Sequence, residues 1–325
     1  MAYSAGVVRR ARQSLAQRKE DKQSQYRQAL VKAYAQTPRL KEIDLALRQS
    51  MTAAAQTVFS KGGDAVAAME QVKKENLALQ AERQKLVAEN FAPGYLDDSP
   101  NCPHCSDNGY VGNTMCRCLE LECRREQKKE IAQLTTGEER FENFRLDYYP
   151  QTKDRKYGVS PREVMAVTLK NCRAYADGFG ENSGNLLFVG TTGLGKTFLS
   201  ACIANAVTDR GYSVAYESAA QLFTKLEKNK FNPTEETQLQ AEKFLQCDLL
   251  IIDDLGTEMP GAFVTAAFYN LLNERLLAGK SMIISTNLTN EEIAKRYTMQ
   301  IASRLRGDFK GMTFLGDDIR ILKNQ

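Results

Sequence analysis

The most constraining feature of the sequence is a glycine-rich segment that follows a short aliphatic run. Residues 185–189 read NLLFV, and residues 190–197 read GTTGLGKT. This pattern predicts a strand, a loop whose backbone N–H groups surround phosphate oxygens, and a helix whose positive end faces the anion. Leu199, Ile203 and Val207 follow at the spacing of one helix face. The segment therefore predicts a Walker A loop, and a glycine turn of purely structural purpose is the alternative.

Two side chains of this loop have predicted chemical roles. Lys196 would bridge the β and γ phosphates of ATP, and the Thr197 hydroxyl would bind Mg²⁺. The remaining loop positions would contact the nucleotide mainly through their backbone. They are Gly190, Thr191, Thr192, Gly193, Leu194, Gly195 and Phe198.

A second aliphatic run ends in two carboxylates. Residues 247–256 read CDLLIIDDLG, which is typical of a Walker B strand. Asp253 would hold Mg²⁺ through its water shell, whereas Asp254 would polarise the water that attacks the γ phosphate. Paired acids that only cap the next helix are the alternative.

Further strands are predicted between and after these two motifs. A strand at residues 213–216 and a helix at 219–228 fall between them, which is typical of motor-type ATPases rather than nucleotide kinases, whose two motif strands are neighbours. Residues 281–287 read SMIISTN, so Asn287 would follow a strand and orient the lytic water. A last strand is predicted at 312–315, ahead of Arg320, which would reach the γ phosphate of its own subunit.

Composition limits the class of protein. The chain has 42% hydrophobic and 26% charged residues, which is typical of a globular protein and excludes a chain disordered throughout. No run approaches the ~18 apolar residues of a membrane span, and the first residues do not have the order of a secretory signal. We therefore expect a cytoplasmic protein with no membrane partner.

The first 95 residues differ from the rest in charge and pattern. They hold 16 Lys and Arg against 9 Asp and Glu, whereas the whole chain has a formal net charge of +4. Pro38 and the Gly62–Gly63 pair divide this region into about three predicted helices. One face would carry four apolar residues, namely Tyr26, Leu30, Val31 and Tyr34. In the third helix Val72, Leu79 and Leu86 are spaced by seven, but Asn76 and Arg83 interrupt the seam, which favours a small helical module over a coiled coil.

Five of the eight cysteines lie between residues 102 and 123. Four of them form two close pairs on loops, which is the tetrahedral donor set that a structural Zn²⁺ prefers: Cys102, Cys105, Cys116 and Cys118. His104 or Cys123 is near enough in sequence to replace one ligand, and incidental thiols are the alternative. Because His104 is the only histidine, a catalytic zinc site with several histidines is not expected.

Several of these segments occur in an order that resembles the DnaC/DnaI/IstB-like ATPases, a group of AAA+ helicase loaders and their transposition relatives. From about residue 95 onward they read CPHCSDNGY, CRC, FENFRLDYY, GTTGLGKT, LLIIDDLG, IISTN, SRL and DIR. The resemblance implies that residues 141–149 strap the adenine through Phe144 and Leu146. It also implies that Asn287 is sensor one, Arg320 is a sensor-two-like residue, and Arg304 is the arginine finger on a neighbouring subunit's ATP. Arg304 and Arg306 lie two apart on a predicted helix, so they cannot both face one phosphate.

Two departures from the family pattern stand out. Asp254 occupies the position where many AAA+ motors have Glu, and the shorter side chain predicts slower hydrolysis. The sequence continues only ten residues beyond Leu315, so no C-terminal helical lid is expected, as in the loaders of this family.

The resulting prediction is an α/β protein whose core is an AAA+ P-loop NTPase with a five-stranded parallel sheet. Residues 1–95 would form a helical helicase-docking domain, 96–133 a zinc-binding module and 134–325 the ATPase domain. The family resemblance implies ATP, Mg²⁺ and Zn²⁺ as cofactors, a hexameric replicative helicase and single-stranded DNA as partners, and a spiral self-assembly on ATP. Lys225, Lys228, Lys230 and Phe231 are candidate DNA contacts, with solvated helix charge as the alternative.

Three other functions remain open from the sequence. A transposition ATPase would share the motor but engage duplex DNA and a transposase. A small-molecule P-loop kinase would turn over ATP only with an acceptor. A non-catalytic zinc adaptor would not bind ATP. The feature that argues against it is the complete set of Lys196, Thr197, Asp253, Asp254 and Asn287.

Overall fold

The structure, a computed structural model, describes residues 3–60, 65–133, 139–155 and 157–322; for residues 51–60 and 65–69 it describes the backbone alone. The chain forms two compact units. One comprises Ser14–Thr114, and the other comprises Met1–Gln13 together with Met115–Gln325. The predicted three-part division, with its boundary at residue 134 outside the described residues, remains a prediction.

The N-terminal region is helical, as the sequence predicts. Its helices are α1 (Ala5–Gln36), α2 (Pro38–Ser60) and α3 (Ala65–Asn90). Proline at the start of α2 is favourable because it has no N–H to leave unpaired and its fixed φ suits a helix. The predicted break at Gly62–Gly63 lies outside the described residues.

The predicted apolar face of α1 is partly wrong. Tyr26, Leu30 and Tyr34 are half-buried, but Val31 is 68% exposed. Ala33, three residues after Leu30, is buried instead. A residue next to Leu30 points about 100° away from it around the helix, so burial follows the i, i+3, i+4 spacing and excludes Val31.

The α2–α3 pair explains why the heptad pattern of α3 does not make a coiled coil. Val72, Leu79 and Leu86 are half-buried. Between them, Asn76 accepts a hydrogen bond from Ser50 Oγ at 2.7 Å, and Arg83 Nε donates to Asp44 at 2.7 Å. The same Asp44 carboxylate accepts from Tyr34 Oη at 2.7 Å. Specific polar pairs therefore take the place of the apolar residues that a coiled-coil seam would have at positions 76 and 83 of α3.

A short segment connects this region to the ATPase elements. Strands β1 (Tyr110–Val111) and β2 (Thr114–Met115) form a two-stranded sheet, and α4 (Arg117–Ala132) follows.

The remaining elements alternate between helix and strand. In chain order they are α5 (Pro161–Asp177), β3 (Asn185–Val189), α6 (Lys196–Asp209), β4 (Val214–Ser218), α7 (Ala219–Phe231), α8 (Glu235–Gln246), β5 (Leu249–Leu255), α9 (Ala262–Leu277), β6 (Ser281–Thr286), α10 (Asn290–Arg296), α11 (Met299–Gly307), β7 (Phe309–Thr313) and α12 (Ile319–Leu322). Sequence reasoning missed α5 and α8, although capping boxes at Ser160–Glu163 and Thr234–Thr237 mark both starts. It also placed the last strand three residues late.

The five long strands form one parallel sheet in the order β4-β5-β6-β3-β7. The predicted five-stranded parallel α/β core is therefore confirmed. Strand β6 separates β3, which carries the Walker A loop, from β5, which carries the two acids. The motif strands are not neighbours, which excludes the simple nucleotide-kinase arrangement raised by the sequence.

Two apolar cores cover the two faces of the sheet. Because successive side chains of a strand point to opposite faces, Leu186 and Phe188 of β3 join one core while Leu187 joins the other. Helices α5 and α6 pack on the first face, and α7, α9, α10 and α11 pack on the second. With both faces buried, the functional groups are left to the edge formed by the strand ends.

No helix among the described residues combines the length and the apolar character needed to cross a membrane.

Candidate functional site: a nucleotide cleft at the carboxyl edge of the sheet

The Walker A loop lies between β3 and α6, as predicted. Gly193 and Gly195 have φ angles of +78° and +85°, a region that glycine enters without steric cost. A Cβ on Gly190 would lie 2.5 Å from the carbonyl oxygen of Phe314, so only glycine fits there. The loop therefore begins tight against the end of β7 and opens its amides at the start of α6.

Lys196 is buried and curls over this loop. Its Nζ donates to the carbonyl oxygens of Gly190 at 2.8 Å and Thr191 at 2.7 Å. Burial lowers the pKa of the Lys196 ammonium, while the charges of Asp254 and Asp253 oppose that change. The first turn of α6 thus concentrates a positive charge beside the open amides, as binding of a triphosphate requires.

Asp253 is held at the end of β5 by two hydroxyl groups. Tyr216 Oη donates to one carboxylate oxygen at 2.9 Å, and Ser285 Oγ donates to the other. Tyr216 Oη also lies 3.4 Å from the carbonyl oxygen of Thr197, so this phenol contacts both Asp253 and the backbone of Thr197. A hydroxyl and a carboxylate are hard oxygen donors, and this donor set fits the predicted Mg²⁺.

Asp254 has a different environment from its neighbour. Its φ is +54°, where aspartate is strained, and the pairing of β5 with β6 is irregular between Ile252 and Leu255. Its N–H donates to Ser285 Oγ at 2.9 Å, and its side chain lines the cleft with Lys196. Partial removal from water, and then the charge of Asp253, raise the pKa of Asp254. A carboxylate with a raised pKa is suited to accept a proton.

Tyr216 and Ser285 are site residues that sequence reasoning missed. Tyr216, on the edge strand β4, is buried, and burial followed by the Asp253 charge raises its pKa well above the usual value. It therefore remains a hydrogen-bond donor. Ser285 is buried on β6 two residues before Asn287, and the polar end of an otherwise aliphatic strand is the signal that points to it.

An aromatic segment forms the other wall of the cleft. Tyr149 Oη donates to the Leu194 carbonyl at 3.0 Å, and the Phe144 ring stacks on Tyr149 with centroids 5.7 Å apart. Phe198 on α6 lies 5.8 Å from Phe144. The cleft has a volume of about 460 Å³ and is also lined by Tyr148. Of the two residues predicted to face the adenine, Phe144 lines it, whereas Leu146 packs on the apolar core instead.

The segment after β7 closes over the opposite side of the loop. Ile319 N–H donates to the Gly193 carbonyl at 3.1 Å. The Asp318 carboxylate lies where a side chain on Gly193 would be, since a Cβ there would come within 1.9 Å of Asp318 Oδ1. Arg320 lines the cleft with Lys196 and Asp254, and its side chain is 76% exposed. The structure therefore brings Arg320 to the predicted site.

The other predicted polar residues lie farther from the cleft lining. Asn287 directly follows β6, whose last residue pairs with the last residue of β3, but Asn287 is exposed and does not line the cleft. Arg304 is on α11, where it lies 3.8 Å from Asp308 and 5.9 Å from the Tyr269 ring. Arg306 is exposed on the same helix. Neither arginine lines the cleft of its own subunit.

The four predicted zinc ligands meet in space. The sulfur atoms of Cys102, Cys105, Cys116 and Cys118 all lie within 4.8 Å of one another. Asp107 shapes the first loop by accepting from Cys102 N–H at 2.7 Å, and Gly109 N–H donates to Cys105 Sγ at 3.3 Å. Four converging thiol sulfurs with an N–H directed at one of them fit a tetrahedral soft metal.

Neither alternative ligand belongs to this group among the described residues. His104 is exposed. Cys123 is fully buried on α4, and burial raises the pKa of its thiol to about 11. A thiol held protonated by its surroundings is a poor zinc ligand.

The candidate DNA contacts near the end of α7 are not equivalent. Lys225 is half-buried and forms an ion pair with Glu217. Lys228 and Lys230 are exposed, and Phe231 is 64% exposed with its ring 5.8 Å from Phe263. Only the last three residues present the basic and aromatic surface that the sequence suggested.

Comparisons with known proteins agree with this site. Residues 154–301 match the family model described as IstB-like ATP binding protein. The chain is 26% identical over 185 residues to the replicative helicase loader DnaC of Buchnera aphidicola subsp. Schizaphis graminum, which covers 55% of this chain and 68% of that protein. It is 26% identical over 167 residues to the replicative helicase loader DnaC of Escherichia coli strain K12, covering 51% of this chain and 62% of the relative.

Among solved structures, the crystal structure of the DnaC helicase loader is similar over 54% of this chain and 98% of that chain, with 22% identity and a TM-score of 0.44. The family match includes β3 with its glycine-rich loop, the acids of β5 and the whole of β6. Over this part of its length the chain is therefore similar to IstB-like ATP binding proteins and to DnaC helicase loaders.

Proposed function

We propose that this protein hydrolyses ATP and loads a hexameric replicative helicase onto single-stranded DNA. The observation that carries the ATPase proposal is one cleft in which Lys196, Thr197 and Asp254 converge from two different strand ends. The similarity to proteins named replicative helicase loader, over about half of this chain, supports the helicase as the partner.

The cleft residues that the sequence singled out would take separate roles in the proposed hydrolysis. The loop amides and Lys196 bind the phosphate chain, and Phe144 with Tyr148 forms a wall for the base. The attacking water gives a proton to Asp254. At the same time the water oxygen bonds to the γ phosphorus, and the bond from that phosphorus to the bridging oxygen breaks. That proton then leaves with the released phosphate. Thr197 and Asp253 would hold Mg²⁺, which neutralises charge on the transferred group.

Other residues would complete the reaction from outside the cleft lining. Asn287, at the end of β6, would orient the water. Arg304 of a neighbouring subunit would stabilise the transition state, which is worth ~10³ to 10⁵ in rate for arginine fingers. The position of Arg304 on a surface helix, outside its own cleft, supports this role and a self-assembly on ATP.

We assign the cysteine cluster to a structural zinc ion. The four sulfur atoms converge, and the segment from 97 to 118 has little apolar material with which to fold alone. The remaining functional assignments are extensions of the same proposal. Residues 1–95 would dock on the helicase, and Lys228, Lys230 and Phe231 would contact single-stranded DNA by charge and stacking.

The decisive experiment measures helicase loading with matched lysine variants. The full-length protein is mixed with the replicative helicase of the same genome, ATP and circular single-stranded DNA, and helicase bound to the circle is counted. We expect loading by the wild type and by Lys170→Ala, an exposed lysine on α5, and none by Lys196→Ala, which loses its phosphate contact.

Two results would contradict the proposal. One is a Lys196→Ala variant that loads as well as wild type. The other is capture of a transposase with duplex DNA, and of no helicase, which would favour the transposition ATPase instead. The names of the relatives do not favour that alternative.

A further inference from the structure

A buried acid lies just beyond the proposed catalytic carboxylate and has no role in the scheme above. Glu258 is 4% exposed and follows the turn that leaves β5. A buried carboxylate is costly to desolvate unless it is hydrogen-bonded and paired. Its partners therefore indicate what the fold uses it for.

The first partner is the turn that carries Asp254. Glu258 Oε2 accepts from Gly256 N–H at 2.9 Å. Gly256 has a φ of +108°, and a Cβ on it would lie 2.7 Å from the Leu288 side chain. The carbonyl oxygen of Asp254 accepts from Thr257 N–H at 3.2 Å and from Thr257 Oγ1 at 2.8 Å. The strained backbone of Asp254 is therefore fixed from its C-terminal side by a turn that closes on Glu258.

The second set of partners belongs to the end of α10. Glu258 Oε1 accepts from Arg296 Nε at 3.2 Å and from Tyr297 Oη, and the Glu258 backbone carbonyl accepts from Arg296 Nη2. Tyr297 is buried, and burial together with its hydrogen bond to Glu258 raises its pKa, so it stays a donor. Thr298, the next residue, caps the start of α11 by accepting from Ile301 N–H. Helix α11 carries Arg304.

The turn after Asp254 matters because the Asp254 backbone has a positive φ, which is unfavourable for a residue other than glycine. A non-glycine residue at positive φ persists only where its surroundings over-determine it. Ser285 Oγ holds the Asp254 amide from the β6 side, and the Thr257–Glu258 turn holds its carbonyl. A displacement of about 1 Å in a reacting group can reduce the rate ~100-fold.

We infer that Glu258 is a positioning residue: it holds Asp254 in its hydrolytic conformation and joins that turn to the helix pair that carries Arg304. The inference rests on the proposed ATPase function and adds a residue to it. Glu258 itself does not line the cleft.

A general loss of stability would also slow hydrolysis, so a matched control is needed. Asp248 lies at the opposite end of β5, half-buried, and accepts from Ser213 N–H at 2.9 Å and from Lys280 Nζ at 2.9 Å. Asp248→Asn therefore weakens an ion pair of a residue that directly precedes the same strand, away from the cleft. Glu258→Gln keeps an amide oxygen that can accept from Gly256 N–H, but it removes the charge and replaces the acceptor that faces Arg296 and Tyr297 with an N–H donor.

The test measures kcat, KM and nucleotide affinity for full-length Glu258→Gln, Asp248→Asn, Asp254→Asn and the double variant Glu258→Gln/Asp254→Asn. We expect Glu258→Gln to lower kcat on the order of 10- to 100-fold with KM and affinity within about twofold. Asp248→Asn should leave kcat near wild type. In the Asp254→Asn background, Glu258→Gln should cause no further loss, because the residue it positions is gone.

Each other outcome counts against the inference. A wild-type kcat in Glu258→Gln, an equal loss in Asp248→Asn, or an additive loss in the double variant would each overturn it. Wild-type protein that binds ATP without hydrolysing it, alone or with helicase and DNA, would overturn the proposed function itself and this inference with it.

Discussion

Asp253 and Asp254 are adjacent in the sequence but have different surroundings. Asp253 has both carboxylate oxygens hydrogen-bonded to hydroxyl groups, whereas Asp254 is strained at φ +54° and has a raised pKa. The two carboxyl groups therefore lie in different surroundings, which supports the proposed roles of Asp253 as a magnesium ligand and Asp254 as a proton acceptor.

Replacing Asp254 by Asn should reduce hydrolysis to a low residual rate and stabilise the fold at neutral pH. The raised pKa means that the folded state disfavours the ionised form, so a penalty is present above the folded pKa and disappears as pH falls below the unfolded pKa. We therefore expect Asp254→Asn to have a higher Tm than wild type near neutral pH, with a gain that shrinks toward about pH 4. Thermal melts across that range check this, and a gain that is constant with pH would indicate relief of backbone strain alone.

Gly193 should tolerate no side chain because of Asp318. Gly193→Ala would place a Cβ 1.9 Å from Asp318 Oδ1 at a φ of +78°, so we expect ATP affinity to fall by at least an order of magnitude. Gly184 has the same φ with no atom within 4 Å of a Cβ, and Gly184→Ala should keep wild-type affinity with a modest loss of stability. Adding Asp318→Ala to Gly193→Ala should restore part of the affinity. Isothermal titration of ATP into the wild type and the three variants measures these affinities. Equal effects of Gly193→Ala and Gly184→Ala on ATP affinity would exclude the clash with Asp318.

At the scale of elements, the strands were predictable and the helix faces less so. The aliphatic runs that become β3, β5 and β6 are short, continuous and followed by polar residues, and a buried parallel strand has this appearance. Val31 was misplaced because both Leu30 and Val31 are apolar and only packing distinguishes them. Helix α8 was missed because its surface residues are mostly polar.

The site residues that belong to a local sequence motif were predictable. Those that reach the site through the packing of distant elements were not. The glycine loop and the acid pair follow from local sequence. Tyr216 and Glu258 depend on which strand lies beside which, since β4 pairs with β5 and α10 reaches the turn after β5. Those partners lie far apart in the sequence, so no local pattern indicates that they are in contact. Leu146 failed as a cleft residue for a similar reason, because residues 141–149 turn through two short 3₁₀ helices.

The cysteine segment should depend on metal. We expect about one zinc per chain in protein purified without chelator, and loss of that zinc in Cys116→Ser. Cys172→Ser, at a buried cysteine on α5, should retain full zinc content. Elemental analysis of the purified variants measures both. Protein without zinc, or Cys116→Ser with a full equivalent, would refute the assignment of the cluster.

At the scale of the whole molecule, residues 1–13 belong to the same compact unit as the ATPase core. Val7 and Ala11 are buried, Arg10 pairs with Glu126 on α4, and Tyr3 Oη donates to the Gly211 carbonyl at 3.3 Å. Removal of residues 1–90 would therefore expose apolar surface of the ATPase unit as well as delete the proposed docking helices. Substitutions confined to residues 14–90 are the sounder way to test docking.

The proposed self-assembly on ATP gives Arg304 a testable role. If Arg304 acts on a neighbouring subunit, Arg304→Ala should bind ATP with wild-type affinity but lose the increase in turnover that would accompany assembly, by ~10³- to 10⁵-fold. Arg306→Ala is the matched control on the same helix. Turnover per subunit is measured as protein concentration rises. A loss in Arg306→Ala alone would move the finger to Arg306, and wild-type behaviour of both would exclude this helix.

Lys196 already has two partners in the loop that it is proposed to serve. Its ammonium donates to the carbonyls of Gly190 and Thr191 at 2.8 Å and 2.7 Å, and a phosphate oxygen, which is charged, would be a stronger acceptor than either carbonyl. The two carbonyls would therefore compete with the phosphate for this ammonium. A triphosphate, with several oxygens bound by the loop amides at once, would overcome that competition more readily than a single phosphate.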